Sequence, residues 1–433
     1  MPRAVGLDFG TTNSAIAVVD SDGTAQLATF QADGHTVSTF RSILYSFHPK
    51  DNEAGGRRVV AGPAAIPAYQ EAEPRGRFIQ SIKSFLASRL FEQTNLYHRT
   101  YQLEDLIATI VQDLRTTAEA QFGAIGPDIV VGRPVCFAGA SDADDEALAL
   151  SRLRQAVQQC GFDNVSFEYE PVAAASYYET QLDHDELVLI ADFGGGTSDF
   201  SLLRLGPSMR GASMRDNDDE RNRILGTAGV AIGGNDFDSQ FIRHLVAPAL
   251  GAGSTYTSFG KMLPMPRQLY AELERWDKLS FLKTGQTLNM LHEIRSQAHE
   301  PDKIEGLLCV IEEELGYQLY KAIEDIKFTL STKAAGTFVF NEPPVEITAD
   351  VTREAFETWI CRDIDDMRMC IDHLLEQCHV TPGDIDSIFM TGGSSLVPIV
   401  RRLFADKFSP DRLRSGGELT SVARGLALRA LMR

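Results

Sequence analysis

One local pattern occurs twice in this chain, with the copies about half a chain length apart. GLDFGTTNSAIAVV begins at Gly6, and IADFGGGTSDFSLL begins at Ile190. Each copy has an apolar run, Asp-Phe-Gly, a cluster of small residues and a second apolar run. Glycine and threonine after a strand allow consecutive backbone N–H groups to point the same way and bind an anion. The repeat therefore predicts two β-hairpins whose turns hold one phosphate-bearing ligand between them.

The turns and the aspartates in front of them are the first candidate ligand-binding residues. The predicted phosphate-binding residues are Gly10, Thr11, Thr12, Gly194, Gly195, Gly196 and Thr197. Asp8 and Asp192 lie at the ends of the first strands and are expected to face the same space. Carboxylate oxygens, phosphate and water are the ligands that Mg²⁺ prefers, so we expect both aspartates to hold Mg²⁺ through water. A single glycine-rich turn is usually structural, but two copies with a leading aspartate favour a phosphate clamp.

Helix and strand patterns follow each hairpin in a similar order. Apolar residues on one face predict a helix from about Leu103 to Phe122, and a helix over 143–160 is expected to end at Gly161. DIVVGRPV and VSFEYEP are predicted strands, and Pro171 is expected at the first position of an Ala-rich helix. The order strand, strand, helix, strand, helix appears twice. We therefore expect an α/β protein built from a duplicated unit whose copies face each other.

The remaining segments give weaker signals. The polar, charged connection over 207–223 is expected to be mobile, and 237–332 is expected to be rich in helices. A strand is predicted near Ile347, followed by one helix from about Thr352 to Gln377 and two short helices at the end of the chain. Residues 31–103 have no strong period and are predicted only as a variable region.

Bulk properties exclude several classes of protein. A net charge of −19 argues against a nucleic-acid or anionic-membrane partner, and the longest apolar stretches are too short to span a membrane. The N-terminus is predicted to run directly into a strand, so we expect no signal peptide, and the six cysteines form no CxxC pair. We therefore expect a cytoplasmic protein with reduced thiols. Cys370, His373, Cys378 and His379 could form a metal site. We favour the other explanation, in which the cysteines are core residues and a histidine lies at the end of the helix.

The order of motifs along the whole chain resembles that of one protein family. DFGTTNS and DFGGGTSD resemble the two phosphate motifs of the actin-like ATPase superfamily, and GRPV with EPVAAA resembles its first connecting segment. MTGGSSLVP resembles its adenosine motif, and SVARGLAL its second connecting segment. SIKSFL, IGGNDFD and EDIKFTLS are similar to motifs in the nucleotide-binding domain of the heat-shock protein 70 family. GRPVCF, FEYEPVAAA and IKSFL together are most similar to the short bacterial YegD-like branch.

This resemblance implies a fold, a ligand and a reaction. The fold would be a duplicated ribonuclease-H-like (actin-like ATPase) α/β fold, with two lobes around a nucleotide cleft. The cofactors would be ATP or ADP with Mg²⁺, and the activity would be slow, Mg²⁺-dependent ATP hydrolysis. Lobe I would comprise 1–183, with a core of 1–38 and 104–183 and a peripheral subdomain of 39–103. Lobe II would comprise 184–433, with a core of 184–230 and 348–433 and a helical subdomain of 231–347.

The resemblance also implies roles for individual residues. Lys83 matches a lysine that reaches the γ-phosphate and the attacking water, and Glu170 matches a carboxylate that orients water and metal. The implied catalytic set is Lys83, Glu170, Asp192, Thr197 and Asp199. Together with the turn residues, contacts to the phosphates and the adenosine are implied for Asn13, Gly233, Gly234, Glu324, Lys327, Phe328, Ser331, Gly392, Gly393 and Ser394.

Some of these positions also have ordinary structural explanations. Lys83 could be a solvated surface lysine, and Glu170 could be a helix-start carboxylate. Glu324 and Lys327 could form a surface ion pair on one helix. Phe328 stands where the family usually carries an arginine that stacks on adenine, so a phenyl ring is expected to replace that contact.

Three functions remain open at this point. The favoured one is an ATP-hydrolysing chaperone-type protein, expected to lack the peptide-binding domain because the sequence stops soon after SVARGLAL. A nucleotide-gated binding module with little turnover is the second, and the altered adenine contacts would suit it. Asn13 is a further departure from the family pattern, since it replaces the usual aromatic residue. An actin-like filament-forming ATPase is the third, although SIKSFL and EDIKFTLS argue against it; a sugar or acid kinase is disfavoured because no second-substrate motif is found. ATP and unidentified proteins are the expected partners.

Overall fold

Two β-sheets, one from each half of the chain, form the centres of two lobes in the computed structural model. The structure describes residues 4–20, 22–32, 34–47, 58–71, 76–91, 93–96, 99–209, 223–275, 279–415 and 420–432. The strands of the first sheet lie in the order Asn164–Tyr169, Asp128–Arg133, Val5–Asp8, Asn13–Val19 and Ala25–Leu27, and Phe40–Arg41 also pairs with Asn13–Val19. Those of the second lie in the order Leu413–Ser415, Ser387–Thr391, Glu186–Phe193, Ser198–Leu205 and Ile224–Val230.

The two sheets have the same topology. Val5–Asp8 pairs antiparallel with Asn13–Val19, and Glu186–Phe193 pairs antiparallel with Ser198–Leu205, so both predicted hairpins form. On the other side of each hairpin's first strand, the next two strands run parallel to it. The repeated order confirms the predicted duplicated α/β unit.

The helices of lobe I lie close to their predicted positions. Leu103–Phe122 has the predicted bounds, and its apolar face is buried in the core of the lobe. Ala143–Gln159 is followed by Cys160 at its C-cap and by Gly161, whose φ is 82°. The Ala-rich helix Glu170–Glu179 begins one residue before the proline that was expected to open it. Within the described part of the chain, no helix combines the length and the apolar character needed to cross a membrane.

Short strands outside the first sheet are the most frequent elements in the described part of the segment 30–102 of lobe I. These strands are Phe30–Ala32, His35–Val37, Leu44–Phe47, Arg58–Ala61, Arg77–Ile79, Gln93–Leu96 and Arg99–Gln102. The α-helix Ala65–Glu71 and the 3-10 helices Gly62–Ala64 and Ile82–Phe85 lie between them. Strands of three or four residues are too short to show a hydrophobic period, which explains why this region had no clear pattern in the sequence.

Lobe II contains the expected helix-rich region, together with two hairpins. Its helical segments are Gly234–Phe241, Ile242–Val246 (a π-helix), Ala247–Ala249, Arg267–Glu274, Leu279–Leu282, Gly285–Gln297, Pro301–Glu312 and Gly316–Thr332. The hairpins are Thr255–Ser258 with Lys261–Pro264, and Ala335–Glu342 with Val345–Thr352. The single strand predicted near Ile347 is therefore one arm of a hairpin. Most of the connection predicted to be mobile, 210–222, lies outside the described residues.

The single helix predicted from Thr352 to Gln377 was wrong, because two helices occupy this segment. Arg353–Trp359 and Cys361–Gln377 are separated by Ile360, whose φ and ψ are −94° and 5°. The side chain of Ile360 is buried in the core of lobe II, so packing stabilises the break between the helices. The later elements of the lobe are the 3-10 helices Pro382–Asp384, Gly393–Leu396 and Pro410–Arg412, and the helix Pro398–Phe408.

The alternative metal site at Cys370, His373, Cys378 and His379, on and just after the helix Cys361–Gln377, does not form. Cys370 and Cys378 pack against the core of lobe II, and His373 Nε2 lies 2.8 Å from Gln377 Nε2. In the described ranges, no group of three or more histidine, cysteine, aspartate or glutamate side chains is placed to hold a metal ion. The two cysteines are therefore partly buried residues packed against the core.

The last helix, Ser421–Met432, packs against the first sheet, although it was predicted to belong to the core of lobe II. Its alanines form one apolar cluster with those of the first hairpin. At Gly425, a Cβ atom would lie 1.7 Å from the carbonyl oxygen of Ala173 in the Ala-rich helix, so this approach requires glycine. The predicted boundary of lobe II therefore needs correction: this helix belongs with lobe I, because small residues on both sides allow its backbone to approach that lobe closely.

Candidate functional site

A cavity of about 500 Å³ lies between the two lobes, and both hairpin turns face it. The predicted site residues that line it are Asp8, Gly10, Thr11, Thr12, Asn13, Lys83, Glu170, Asp192, Gly194, Gly195, Thr197, Gly234, Glu324, Lys327, Phe328, Ser331, Gly392, Gly393 and Ser394. These residues come from both halves of the chain. The structure therefore brings the residues predicted to contact phosphate, metal and adenosine together in one cleft.

Three predicted residues lie behind the cleft wall. Gly196 faces a second cavity on the far side of its turn. Asp199 is 1% exposed, and its carboxylate accepts a hydrogen bond from Val135 N–H at 2.8 Å. Gly233 packs against the second turn, and the N–H of the next residue, Gly234, donates to the turn's carbonyl oxygen of Gly194 at 3.0 Å. These three positions support the cleft from behind.

Hydrogen bonds stabilise the geometry of both turns. In the first turn, Gly10 N–H donates to Ser14 Oγ at 3.2 Å, and Ser14 Oγ lies 2.8 Å from Ser42 Oγ. In the second turn, Gly194 N–H donates to the carbonyl oxygen of Thr197 at 2.8 Å. Because the turns are fixed before any ligand arrives, their backbone groups are preorganised for an anion.

Lys83 and Glu170 form a buried ion pair in the cleft. Lys83 Nζ lies 2.6 Å from Glu170 Oε1, and the two side chains are 9% and 8% exposed. Burial lowers the pKa of Lys83, but the carboxylates of Glu170, Asp8 and Asp199 raise it more, so the net pKa lies above its ordinary value. Lys83 is therefore a fixed positive charge, and the explanation as a solvated surface lysine is wrong.

The aspartates near this pair repel one another. Burial, and after it the charge of Glu170, raises the pKa of Asp8 and of Asp199 to about 7. Burial and the neighbouring carboxylates raise the pKa of Asp192 well above its ordinary value. A divalent cation would relieve this repulsion, so the donor set fits Mg²⁺. Since the described residues provide no ready-made site of three direct ligands, contact through water with Asp8 and Asp192 suits the geometry better.

The other end of the cleft presents apolar side chains. Phe328 lines the cavity from the helix Gly316–Thr332, and 70% of it is exposed. Leu396 lines the cavity from the turn Gly393–Leu396, and 48% of it is exposed. Large apolar groups exposed inside a cleft favour a planar apolar ligand such as a nucleotide base.

Arg41 of lobe I contacts Tyr320 and Glu324 of lobe II, and these three residues are here called the inter-lobe clasp. Arg41 Nη2 lies 2.7 Å from Glu324 Oε1, and Arg41 Nη1 donates to Tyr320 Oη at 2.8 Å. Burial raises the pKa of Glu324, but Arg41 and nearby lysines lower it more, so its net pKa lies below the ordinary value. Lys327 Nζ pairs with Asp238 Oδ1 at 2.5 Å, rather than with Glu324 as in the surface-pair explanation. The Glu324 carboxylate therefore joins the lobes at the cleft.

Several residues in and beside the cleft were not predicted from the sequence. Asp238 and Asn235 belong to the quoted motif IGGNDFD, and Leu396 belongs to MTGGSSLVP, so motif membership could have identified them. Arg41 and Tyr320 belong to no quoted motif and are 279 residues apart in the chain. No sequence signal indicated that contact.

Comparisons with known proteins identify the family of this chain. A family model described as "Hsp70 protein" matches residues 78–252 and 303–432. The chaperone protein DnaK of Thermotoga petrophila is 26% identical over 432 residues, which cover 98% of this chain and 59% of that protein. DnaK of Thermosipho africanus is 26% identical over 430 residues, which cover 98% of this chain and 58% of that protein. The chain thus spans somewhat more than half the length of these relatives. Because the matched residues make up more than half of the chain, it belongs to the Hsp70 family and has the family's two-lobed actin-like ATPase fold.

Proposed function

We propose that this chain binds Mg²⁺ and ATP between its lobes and hydrolyses the ATP to ADP and inorganic phosphate. The observation that carries the proposal is the convergence of both glycine-threonine turns and the buried Lys83–Glu170 pair on one cavity. Family membership supports the same conclusion, since the relatives are chaperones of the DnaK type. Isothermal titration calorimetry with Mg-ATP and Mg-ADP tests binding, and no heat from folded protein with either nucleotide would refute it.

Binding follows from the arrangement of backbone and side chains. The amides of the two turns would hold the phosphates, and Asp8 and Asp192 would hold Mg²⁺ through water. When bound, Mg²⁺ neutralises negative charge on the phosphate oxygens. Phe328 and Leu396 cover the base, while Lys327 and Ser331 lie on the same helix face beside the adenosine.

The residues around the γ-phosphate position carry the reaction. The oxygen of one water molecule bonds to the γ-phosphorus, and the bond from that phosphorus to the β,γ-bridging oxygen breaks, with its electron pair remaining on ADP. The hydrogens of the water end on the phosphate or in the solvent. Lys83 stabilises charge that develops on the departing phosphoryl group, and Glu170 orients the lysine and the water. Asp199 holds the Val135 backbone behind this site.

A ligand held by both turns also changes the arrangement of the lobes. The turns belong to different lobes, so a nucleotide that contacts both favours the closed arrangement by its differential affinity for that state. We propose that this change in shape is what an unidentified protein partner recognises, as expected for a chaperone-type protein. The expected contact of Phe328 with the base is also compatible with a second function, a nucleotide-gated binding module with little turnover. A single-turnover assay distinguishes this module from an ATP-hydrolysing protein.

The inter-lobe clasp is expected to slow nucleotide release. Arg41→Met removes a partly exposed ion pair across the cleft, so ADP should dissociate about 3- to 10-fold faster, which corresponds to a pair worth roughly 1 kcal/mol. Stopped-flow displacement of a fluorescent ADP analogue measures this rate. Arg368→Met, which removes a surface pair with Asp365 away from the cleft, is the matched control. An unchanged rate in Arg41→Met would show that the clasp does not limit release.

We expect Phe328 to increase the affinity for nucleotide only through its contact with the base. Phe328→Ala should weaken ADP binding about 3- to 10-fold, because an aromatic contact is worth roughly 0.5–1.5 kcal/mol beyond its buried area. Calorimetry with Mg-ADP measures the loss. Mg-tripolyphosphate, which has no base, should bind the variant and the wild type equally. A loss of affinity for both ligands would mean that Phe328 supports the fold of the cleft rather than the base.

A further inference from the structure

A cavity of about 300 Å³ lies between the lobes beside the nucleotide cleft, and it is here called the clasp cavity. All three residues of the inter-lobe clasp line it, together with Ile43, Ile66, Gln80 and Tyr317. Tyr320 and Glu324 of the clasp and residues 11–13 of the first turn also line the cleft. The clasp and the first turn therefore form the wall between the two cavities. The function proposed above makes no use of the clasp cavity.

The side chain of Gln80 presents an unused carboxamide to the clasp cavity. Gln80 follows the strand Arg77–Ile79, lines the cavity and is only 7% exposed. Within the described part of the chain, its side chain makes no hydrogen bond. A carboxamide has one acceptor oxygen and two donor hydrogens, and leaving such a group unpaired in the protein interior is unfavourable. A ligand in the cavity would supply the missing partner.

Apolar side chains supply much of the cavity wall. Ile43 and Ile66 line it from lobe I, and Tyr317 lines it from lobe II. The ring centroid of Tyr317 lies 5.7 Å from that of Tyr69 and 5.2 Å from that of Phe78, so these contacts hold the ring in place. Apolar and aromatic walls with a few polar groups are typical of sites for small molecules. An aromatic wall in particular suits a planar ligand.

The positive charges of the clasp cavity are already paired. Arg41 and Lys321 are the cationic side chains among the described residues that line it. Arg41 Nη2 lies 2.7 Å from Glu324 Oε1, and Lys321 Nζ lies 2.9 Å from Asp325 Oδ1. The chain as a whole carries a net charge of −19. Because an anionic ligand would find no free cation in this lining, the cavity suits an uncharged molecule.

The volume and the hydrogen-bonding pattern of the cavity together fit a nucleoside. Its volume of about 300 Å³ is at the lower end of the range for small-molecule sites, about 300–1,000 Å³. A glutamine carboxamide can form two hydrogen bonds with adenine, donating to N7 and accepting from the N6 amino group. Adenosine combines this edge with a planar ring and no charge. It therefore matches Gln80, the apolar walls and the paired cations.

We propose that the clasp cavity binds adenosine or a similar uncharged adenine nucleoside, with Gln80 pairing with the edge of the base. Because both lobes line the cavity, a ligand there favours the closed arrangement and should slow the release of ADP from the neighbouring cleft. The coupling is reciprocal, so ADP should tighten adenosine binding by the same factor. The effect on ADP rests on the nucleotide binding proposed above, whereas adenosine binding to the clasp cavity does not.

Calorimetry tests the site with adenosine titrated into the full chain saturated with Mg-ADP, so that the nucleotide cleft is already occupied. One adenosine should bind per chain. Gln80→Leu should weaken this binding about 10- to 100-fold, as expected for the loss of one bidentate contact to adenine. 7-Deazaadenosine lacks the N7 acceptor, so it should bind the wild type more weakly than adenosine does, whereas Gln80→Leu should bind the two equally. Gln268→Leu, which changes an exposed side chain outside both cavities, is the matched control.

Stopped-flow release of a fluorescent ADP analogue, with excess unlabelled ADP as the chase, tests the coupling between the two cavities. Saturating adenosine should slow this release about fivefold or more in the wild type and leave the rate in Gln80→Leu unchanged. Gln80→Leu removes a buried unpaired amide and nearly keeps the side-chain shape, so it is expected to fold. Ile66→Trp, which fills the cavity from another wall, is the second variant and should also abolish the effect of adenosine.

Several results would contradict the proposal. No heat from adenosine with ADP-saturated wild-type protein would overturn it, as would equal adenosine affinity in the wild type, Gln80→Leu and Ile66→Trp. Unchanged ADP release with adenosine bound would overturn the coupling. If the chain binds no ADP, the proposed nucleotide site is refuted instead. Adenosine binding that is lost in Gln80→Leu but kept in Phe328→Ala would then still support the clasp cavity, whereas loss in Phe328→Ala alone would place adenosine in the cleft and overturn the proposal.

Discussion

Lys83→Met is expected to slow ATP cleavage about 10²- to 10³-fold while nucleotide affinity changes much less, because one preorganised charge contact to the transition state is lost. The lysine is buried and held 2.6 Å from Glu170 Oε1, so its charge is in place before the reaction starts. The charge that it opposes grows only as the γ-phosphoryl group departs. Acid quench under single-turnover conditions measures cleavage, and calorimetry measures affinity.

Stability must be separated from catalysis in this variant. Removing one partner of a buried ion pair costs about 3–5 kcal/mol, because the other charge remains unpaired. The double variant Lys83→Met with Glu170→Gln removes both charges, so it should recover much of the free energy of unfolding without recovering turnover. Lys303→Met, at a surface pair with Glu300, is the matched control. If Lys83→Met cleaves ATP within a few-fold of the wild type, the role given to Lys83 is wrong.

Asp192→Asn is expected to have opposite effects on function and stability. It removes a carboxylate that holds the metal through water, so Mg²⁺-dependent ATP affinity should fall about 10- to 100-fold, as for other outer-sphere metal contacts. Without Mg²⁺, however, the variant should be more stable than the wild type. Burial and repulsion from Glu170, Asp8 and Asp199 disfavour the charged side chain, and asparagine removes that charge.

Nucleotide titrations with and without Mg²⁺ measure the first effect, and chemical denaturation in a metal chelator measures the second. Asp363→Asn is the matched control, since burial also raises the pKa of this aspartate but it lies outside the cleft. Equal Mg²⁺ dependence in Asp192→Asn and the wild type would contradict the assignment of Asp192 to the metal.

The repeated hairpins and the strongest helix were predictable from the sequence for local reasons. Each hairpin is specified by neighbouring residues, an apolar strand on either side of a glycine-rich turn, and both form as expected. The helix Leu103–Phe122 was placed correctly because a single apolar face persists along its whole length. Local pattern sufficed where one short segment determines the structure.

Contacts between distant segments were not predictable in this way. The clasp joins Arg41 to Glu324, and nothing in either segment indicates the other. The break at Ile360 depends on packing in the core of lobe II, whereas the surrounding residues continue a helical pattern. The last helix was assigned to the wrong lobe because its small residues show their purpose only where they meet the first sheet. Tertiary packing decides all three features.

Single-turnover cleavage by the wild-type chain tests the central claim most directly. Radiolabelled ATP is mixed with excess protein, with Mg²⁺ or with a chelator, and inorganic phosphate is measured after acid quench. We expect phosphate to form in the presence of Mg²⁺, little to form with chelator, and Lys83→Met to form it far more slowly. Tight Mg-ATP binding without any cleavage by folded wild-type protein would contradict the proposed hydrolysis and would favour the nucleotide-gated module.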